Sequence, residues 1–586
     1  MSSRKDLYII TLMPGNEKKI HFLSGDEAVG RGAYESGVRV AASYPGTPAT
    51  EILEYLSNFQ EVDAQWSVNE KVAYEVAFGA ALSGSRAIFS SKHVGLNVAM
   101  DSLMTSAYIG VNAGFVAVTA DDPGLHSSQN EQDNRLVAPF AKLPLLEPSS
   151  PSEAYEFSRA AFAISEEFDT PVLLRLTTRV AHTKENFDIG QRIELPKKEY
   201  VTNIGKNVMV PGNAYKRHVV LEEKLNKLKS YSEKAPFNRI ELRSKELGFI
   251  ADGVSYLYVR EAFPEASVLK LGFVYPFPDE MIRVFSEKVK KLVVIEELEP
   301  FIEDHIKTLG IKASFKDPSW RVGELRPEDI PTIVEGKPRT GRPKPARKPV
   351  LCPGCMHRPV FSVLRKLKVI VTGDIGCYTL GALEPLSALH TCLCMGSSVT
   401  LFEGFYRSLG KGVAGVIGDS TFVHSGIPGL INAAYNGAKG LLIILDNGTT
   451  AMTGSQPHPA TGANARGEQV KRLDIEAICR AAGADEVKVV DPFDTELVEK
   501  CVREYLSNGK LSVMIARYPC RIIHRAKEKP AVVIEEKCKK CGVCLSLDCP
   551  AIIGQEGGSV SIDRALCTGC YLCVKTCKFK AIEPSK

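Results

Sequence analysis

Short runs of consecutive apolar residues recur along the first two hundred positions, each followed by a polar loop and then by helical spacing. Residues 38–44, 86–90, 114–119 and 171–176 read as buried strands. Pro45-Gly46-Thr47-Pro48 reads as a turn opening a helix, and Ser91-Lys92-His93-Val94-Gly95 as a loop before a second helix. Strand, loop and helix in repetition predict a parallel α/β sheet. Ligands of such sheets bind at the loops leaving the carboxyl ends of the strands. Residues 102–120 carry no formal charge and are long enough to raise the question of a membrane span. Thr105, Ser106, Asn112 and two glycines interrupt them, so a helix, a turn and a strand are predicted instead.

Residues 201–245 are rich in Lys, Arg and Glu and carry helical spacing at 219–228, which predicts a helical connector. The α/β pattern resumes at 247 as a small middle domain with strands 248–251, 267–271 and 291–295. The stretch 336–349 has four prolines, six basic residues and no acids, and reads as an exposed linker or a weak docking strip. A second large α/β domain follows over 350–519, with strands 369–372, 415–417, 440–445 and 511–516. From 531 the chain is too short for an apolar core of its own and must be held by other means.

Composition narrows the reading. A chain of 586 residues sets a prior of about four domains at roughly 150 residues each. A net charge of +4 offers no strong field for nucleic acid or membrane. The 44% apolar and 24% charged content excludes a largely disordered protein. Residues 7–13 are too short for a good signal core, so a soluble cytoplasmic protein is expected. Cysteine is the anomaly: sixteen in all, eight of them after Ile534. A secreted disulfide scaffold would be short, with cysteines throughout.

Those eight stand as Cys538-x2-Cys541-x2-Cys544-x4-Cys549-Pro550 and Cys567-x2-Cys570-x2-Cys573-x3-Cys577. The spacing resembles the bacterial two-cluster ferredoxins. That resemblance implies one [4Fe-4S] cluster on Cys538, Cys541, Cys544 and Cys577, and a second on Cys567, Cys570, Cys573 and Cys549. The first run has x4 where the pattern has x3, and Lys578 replaces the final proline. Two structural zinc sites are the alternative for eight cysteines.

Upstream, Gly418-Asp419-Ser420 follows an apolar run, and Asp446-Asn447 closes the next. This resembles the thiamine diphosphate motif, with Ser420 in place of glycine. Asp419, the Asn447 amide oxygen and the Thr449 carbonyl would hold Mg2+, a hard cation that takes oxygen ligands. Backbone N–H groups at the helix start would face the diphosphate. Alone, an Asp after a strand is often a helix cap.

The Tyr44-Pro45-Gly46-Thr47-Pro48 turn, Cys352-Pro353-Gly354-Cys355, the run 373–378, the thiamine motif and the double-cluster tail together resemble the 2-oxoacid:ferredoxin oxidoreductases, in their indolepyruvate branch. The resemblance covers nearly the whole chain. It implies two thiamine-binding-fold α/β domains, one pyrimidine-binding and one diphosphate-binding, around a transketolase-C-like domain, with a small ferredoxin-like α+β domain at the end. The corresponding boundaries are 1–200, 201–245 (connector), 246–335, 336–349 (linker), 350–530 and 531–586. The activity implied is oxidative decarboxylation of aryl 2-oxoacids with coenzyme A, electrons leaving for an external ferredoxin. A non-oxidative thiamine decarboxylase and a noncatalytic electron carrier are the competing functions. A separate beta subunit and an alpha2beta2 assembly are implied, with no nucleic-acid or membrane partner.

Glu70 matches the glutamate that activates the cofactor's pyrimidine ring, with Glu75 as competitor, and is expected to be buried. Thr47 matches the threonine beside the substrate carbonyl. Gly376, Cys377 and Tyr378 join Gly418, Asp419, Ser420, Asn447 and Thr449 as cofactor-binding candidates. Residues 119–124 lack the arginine that anchors pyruvate's carboxylate in pyruvate-specific members, leaving His126 and Arg135 as substitutes. Cys352, Cys355, Cys377 and Cys520 match a third [4Fe-4S] cluster, with buried inert thiols or structural zinc as alternatives.

Overall fold

The computed structural model describes residues 20–341, 349–524 and 528–585, in two compact units divided at 342/343. Residues 7–13 and residues 342–348, half of the 336–349 linker, lie outside the described residues.

The first unit is built on a seven-stranded sheet in the order Phe273–Tyr275, Leu145–Leu146, Val172–Thr177, Phe115–Asp121, Ala87–Lys92, Val40–Ser43, Asp63–Trp66. All neighbours are parallel except the first pair. The three central strands are buried along their whole length, which is why they read as unbroken apolar runs. Helices Glu70–Leu82 and His93–Ile109 cover one face; Gly25–Glu35, Thr50–Leu56 and Pro151–Phe168 cover the other. In Glu70–Leu82 the buried positions Ala73, Tyr74, Ala77, Phe78 and Ala81 fall three and four apart, the stripe of a helix lying on a sheet.

A four-stranded sheet follows in the order Lys291–Ile295, Leu247–Asp252, Ser267–Leu271, Arg239–Glu241, the last strand antiparallel. The stretch read as a connector forms the helix Pro211–Ser232 and then supplies that edge strand. Phe273–Tyr275 leaves the same region and pairs with the larger sheet. The middle region therefore shares a sheet edge with the N-terminal one.

The second unit has a five-stranded parallel sheet in the order Ile370–Thr372, Val413–Gly418, Gly440–Asp446, Leu511–Arg517, Glu486–Val490. Helices His357–Lys366 and Thr495–Ser507 pack on one face, and Ser397–Leu409, Ile427–Tyr435 and Ile475–Ala481 on the other. The tail adds two antiparallel pairs, Ala531–Val533 with Ile582–Pro584 and Ile552–Gly554 with Val560–Ile562. Its apolar core is small and includes Cys544 and Cys573. The α/β fold with a small ferredoxin-like end is the class the sequence predicts. No helix among the described residues is long and apolar enough to cross a membrane.

Candidate functional site

In the second unit the chemistry gathers where parallel strands end. Asp419 follows Val413–Gly418, and Asn447 follows the neighbouring Gly440–Asp446. Asp419 is buried; its Oδ1 accepts from the Ser420 N–H (2.9 Å) and its Oδ2 from the Gly448 N–H (2.8 Å). His458 Nε2 stands 3.2 Å from the same Oδ2. Asn447 Oδ1 accepts from the Thr449 N–H (3.0 Å), and Thr449 is buried. Asp446 lies beside Asp419, and burial together with that like charge pushes its carboxyl pKa up, although Arg517 Nε reaches it at 2.6 Å. Two crowded carboxylates and an amide oxygen on adjacent strand ends form a hard-donor set suited to a divalent cation.

Gly376 and Gly418 admit one aromatic ring. A β-carbon on either would stand 2.4 Å or 2.7 Å from Tyr378 Cε1. The Tyr378 hydroxyl donates to the Ile375 carbonyl (2.8 Å) and the ring is buried, so Tyr378 shapes the loop beside Asp419. Asp374 holds that loop, accepting from the Ile375, Gly396 and Ser398 N–H groups. Burial raises its pKa to about 6.

Cys352, Cys355, Cys377 and Cys520 line one cavity, together with Asn447 and His357. Burial and neighbouring thiols push Cys355 up to about 12 and Cys377 up to about 11. His357 is buried and, among the described residues, neither ring nitrogen has a hydrogen-bond partner; burial holds its pKa down at about 4. A second cavity is lined by Cys549, Cys567, Cys570 and Cys573, with Cys355 again in its wall. A third is lined by Cys538, Cys541, Cys544 and Cys577. The two tail sets are the crossed sets that the ferredoxin resemblance implies. All sixteen cysteines are unpaired. Gathered soft donors of this kind fit iron–sulfur clusters, whose binding would release the thiol protons.

The tail is fixed to the sheet domain by Arg358, whose guanidinium donates to the Leu547 carbonyl (2.5 Å) and also to the carbonyls of Asp548 and Leu351. Gly354, at φ +66°, makes the close approach possible: a β-carbon there would stand 2.1 Å from Thr568 Oγ1. Neither Arg358, His357 nor His458 stood out in the sequence, because each works through a partner distant along the chain.

In the first unit Glu70 opens helix Glu70–Leu82 behind the Asn69 cap and is 6% exposed. Gly95 makes room for it, since a β-carbon there would stand 2.5 Å from Glu70 Oε1. Glu75 is exposed; it pairs with Lys71 and accepts from Ser102 Oγ (2.7 Å). Thr47 is half-buried on the loop after Val40–Ser43, and its carbonyl lies 3.5 Å from Ser127 Oγ. Arg135 is not a substrate ligand: it is 1% exposed and spent on Asp133 (2.6 Å), Asp252 (2.8 Å) and Glu296 (2.8 Å). His126 is exposed, 3.4 Å from Glu324.

Three families match the chain in succession. "Pyruvate flavodoxin/ferredoxin oxidoreductase, thiamine diP-bdg" covers residues 31–227. "Thiamine pyrophosphate enzyme, C-terminal TPP binding domain" covers 374–516, and "4Fe-4S binding domain" covers 560–583. Indolepyruvate oxidoreductase subunit IorA of Archaeoglobus fulgidus is 40% identical over 96% of this chain and 97% of its own. The chain belongs to the IorA family. The Thermococcus kodakarensis IorA subunit is 38% identical over 96% of this chain and 97% of its own. The 2-oxoglutarate synthase subunit KorA of Archaeoglobus fulgidus is 25% identical over 54% of this chain. This IorA-family chain is thus a thiamine diphosphate- and iron–sulfur-dependent oxidoreductase of 2-oxoacids. The Asp419 strand end lies in the segment that matches the thiamine-binding family, and Cys567, Cys570, Cys573 and Cys577 lie in the one that matches the 4Fe-4S family.

Proposed function

We propose that the chain is the catalytic large subunit of an enzyme that oxidises aryl 2-oxoacids, indolepyruvate among them, with coenzyme A. The overall change is R–CO–COO⁻ + CoA–SH → R–CO–S–CoA + CO2 + H⁺ + 2e⁻, the two electrons going singly to an external ferredoxin. A separate beta subunit, in an alpha2beta2 assembly working anaerobically in the cytoplasm, completes the proposal. Relatives named as IorA subunits at about 40% identity support the aryl substrate and the partner.

Thiamine diphosphate, when bound, supplies the carbon nucleophile and the electron sink. Asp419, Asn447 and the Thr449 carbonyl would hold its Mg2+. Gly376, Cys377, Tyr378, Gly418 and Ser420 shape the surrounding wall. Glu70 would accept a hydrogen bond from the pyrimidine ring of a bound cofactor and so favour loss of the reactive carbon's proton, its burial keeping that carboxylate from water. Thr47 orients the substrate carbonyl.

One observation carries the oxidative reading over a non-oxidative one. The four-cysteine cavity shares Asn447 with the cation-binding strand end and shares Cys355 with the wall of the next cysteine cavity. The first two thiol sets thus adjoin, and the third shares the small tail core with the second through Cys544 and Cys573, which supports a relay of one-electron carriers. Anaerobic iron analysis tests it. Three cubanes hold 3 × 4, about twelve, irons per chain and two hold about eight. Eight irons in fully active enzyme would remove Cys352, Cys355, Cys377 and Cys520 from the relay. A panel of 2-oxoacids with ferredoxin as acceptor should rank arylpyruvates first.

A further inference from the structure

A 2-oxoacid brings a carboxylate into the site, and a buried carboxylate needs a cation. The first unit has few to offer at the strand ends around Thr47. Arg135 is consumed by three acids, and Arg179 pairs with Glu324 at 2.6 Å. Lys92 is different. It ends strand Ala87–Lys92, which lies in the sheet between Val40–Ser43, whose loop carries Thr47, and Phe115–Asp121, whose loop lacks an arginine. Its β-carbon lies 3.1 Å from where one would stand on Gly46, so its stem runs against the residue before Thr47.

Lys92 is 8% exposed. Its Nζ donates to the Ser127 carbonyl (2.8 Å) and lies 3.2 Å from Ser127 Oγ, the hydroxyl that reaches the Thr47 carbonyl. Among the described residues, no carboxylate forms an ion pair with it. The nearby Asp122 is engaged by the Ser127 N–H (2.8 Å), Ser128 Oγ (2.5 Å) and Thr178 Oγ1 (2.7 Å). An ammonium has three donors, and Ser127 takes at most two. Burial accordingly presses the Lys92 pKa down to about 8, against the pull of Asp122. An arriving carboxylate would supply the missing counter-charge.

We propose that Lys92 is the anchor for the carboxylate of the 2-oxoacid, in place of the absent arginine. The inference rests on the 2-oxoacid reading above. The pair acts on the ground state, because the carboxylate leaves as neutral CO2. Its loss should therefore raise KM more than it lowers kcat.

The test uses assembled, cluster-loaded enzyme carrying Lys92→Met, which keeps the stem, or Lys92→Arg, which keeps the charge. For Lys92→Met, KM for an arylpyruvate should rise by roughly thirtyfold or more, as expected for loss of one partner of a buried charge pair. KM for coenzyme A should not move. Unreactive 3-phenylpropionate and its carboxamide give a second readout. Wild type and Lys92→Arg should prefer the acid; Lys92→Met should bind both alike. A purely structural lysine would weaken both ligands equally and leave the ratio unchanged, which overturns the inference. In unaltered enzyme, phenylpropionate but not the amide should shield Lys92 from reductive methylation, read by mass spectrometry, and failure to shield it also overturns the role. Wild-type enzyme inert toward every 2-oxoacid would instead overturn the functional reading itself.

Discussion

At the scale of single residues, the two glutamates of one helix show how burial assigns chemistry. Glu70 and Glu75 both lie on Glu70–Leu82, but Glu70 faces Gly95 from inside while Glu75 pairs with Lys71 in solvent. Glu70→Ala should lower turnover by about a hundredfold or more, the usual worth of a lost proton-transfer partner, and leave cluster absorbance intact. Glu75→Ala should remain near wild type, since exposed pairs contribute at most about 1 kcal/mol. Steady-state rates for both variants check this, and the reverse pattern would move the role to Glu75. The sequence made Glu70 legible because it stands in a motif. Lys92 was legible only as a loop residue. Its significance depends on Ser127 and Gly46, which sheet topology brings to it and which no local spacing encodes.

At the scale of elements, legibility followed burial. Ala87–Lys92, Phe115–Asp121 and Gly440–Asp446 are covered on both faces and so are written as apolar runs. Asp63–Trp66 is an edge strand of sequence DAQW with one fully buried position, and its pattern carries no period. Phe273–Tyr275 was hidden for another reason: it leaves its local sheet to pair antiparallel with Leu145–Leu146. The Cys352–Cys355 turn was legible as a ligand pair but not as a joint. Gly354 is the residue on which that joint turns. Gly354→Ala would put a β-carbon against Thr568 and force a left-handed conformation, costing roughly 1–2 kcal/mol from the backbone alone. The expected result is a tail that loses iron faster under chelator while thiamine diphosphate affinity stays near wild type. Unchanged iron retention would show that Thr568 simply moves aside.

At the scale of the whole molecule, the question is where electrons leave. Of the three thiol sets, the one lined by Cys538, Cys541, Cys544 and Cys577 has Lys539, Lys540 and Phe579 in its wall. Lys537, Lys539, Lys540, Lys578 and Lys580 are all exposed around it, against Glu535 and Glu536 nearby in sequence. Residues 531–586 carry eight basic and six acidic side chains, 8 − 6 = +2. A basic rim around an exposed apolar ring suits an acidic redox partner, whose approach it would steer and whose contact Phe579 would help to dry. Steering between exposed charges fades over a Debye length of about 8 Å at physiological salt. Reduction of an acidic ferredoxin should therefore slow severalfold as salt rises from low to high. Reduction of a small uncharged acceptor by the same enzyme should hold steady, because an uncharged acceptor is not steered by the basic rim. Equal salt dependence for both acceptors would place the effect upstream of docking, and no dependence for either would leave the basic rim without a part in electron exit.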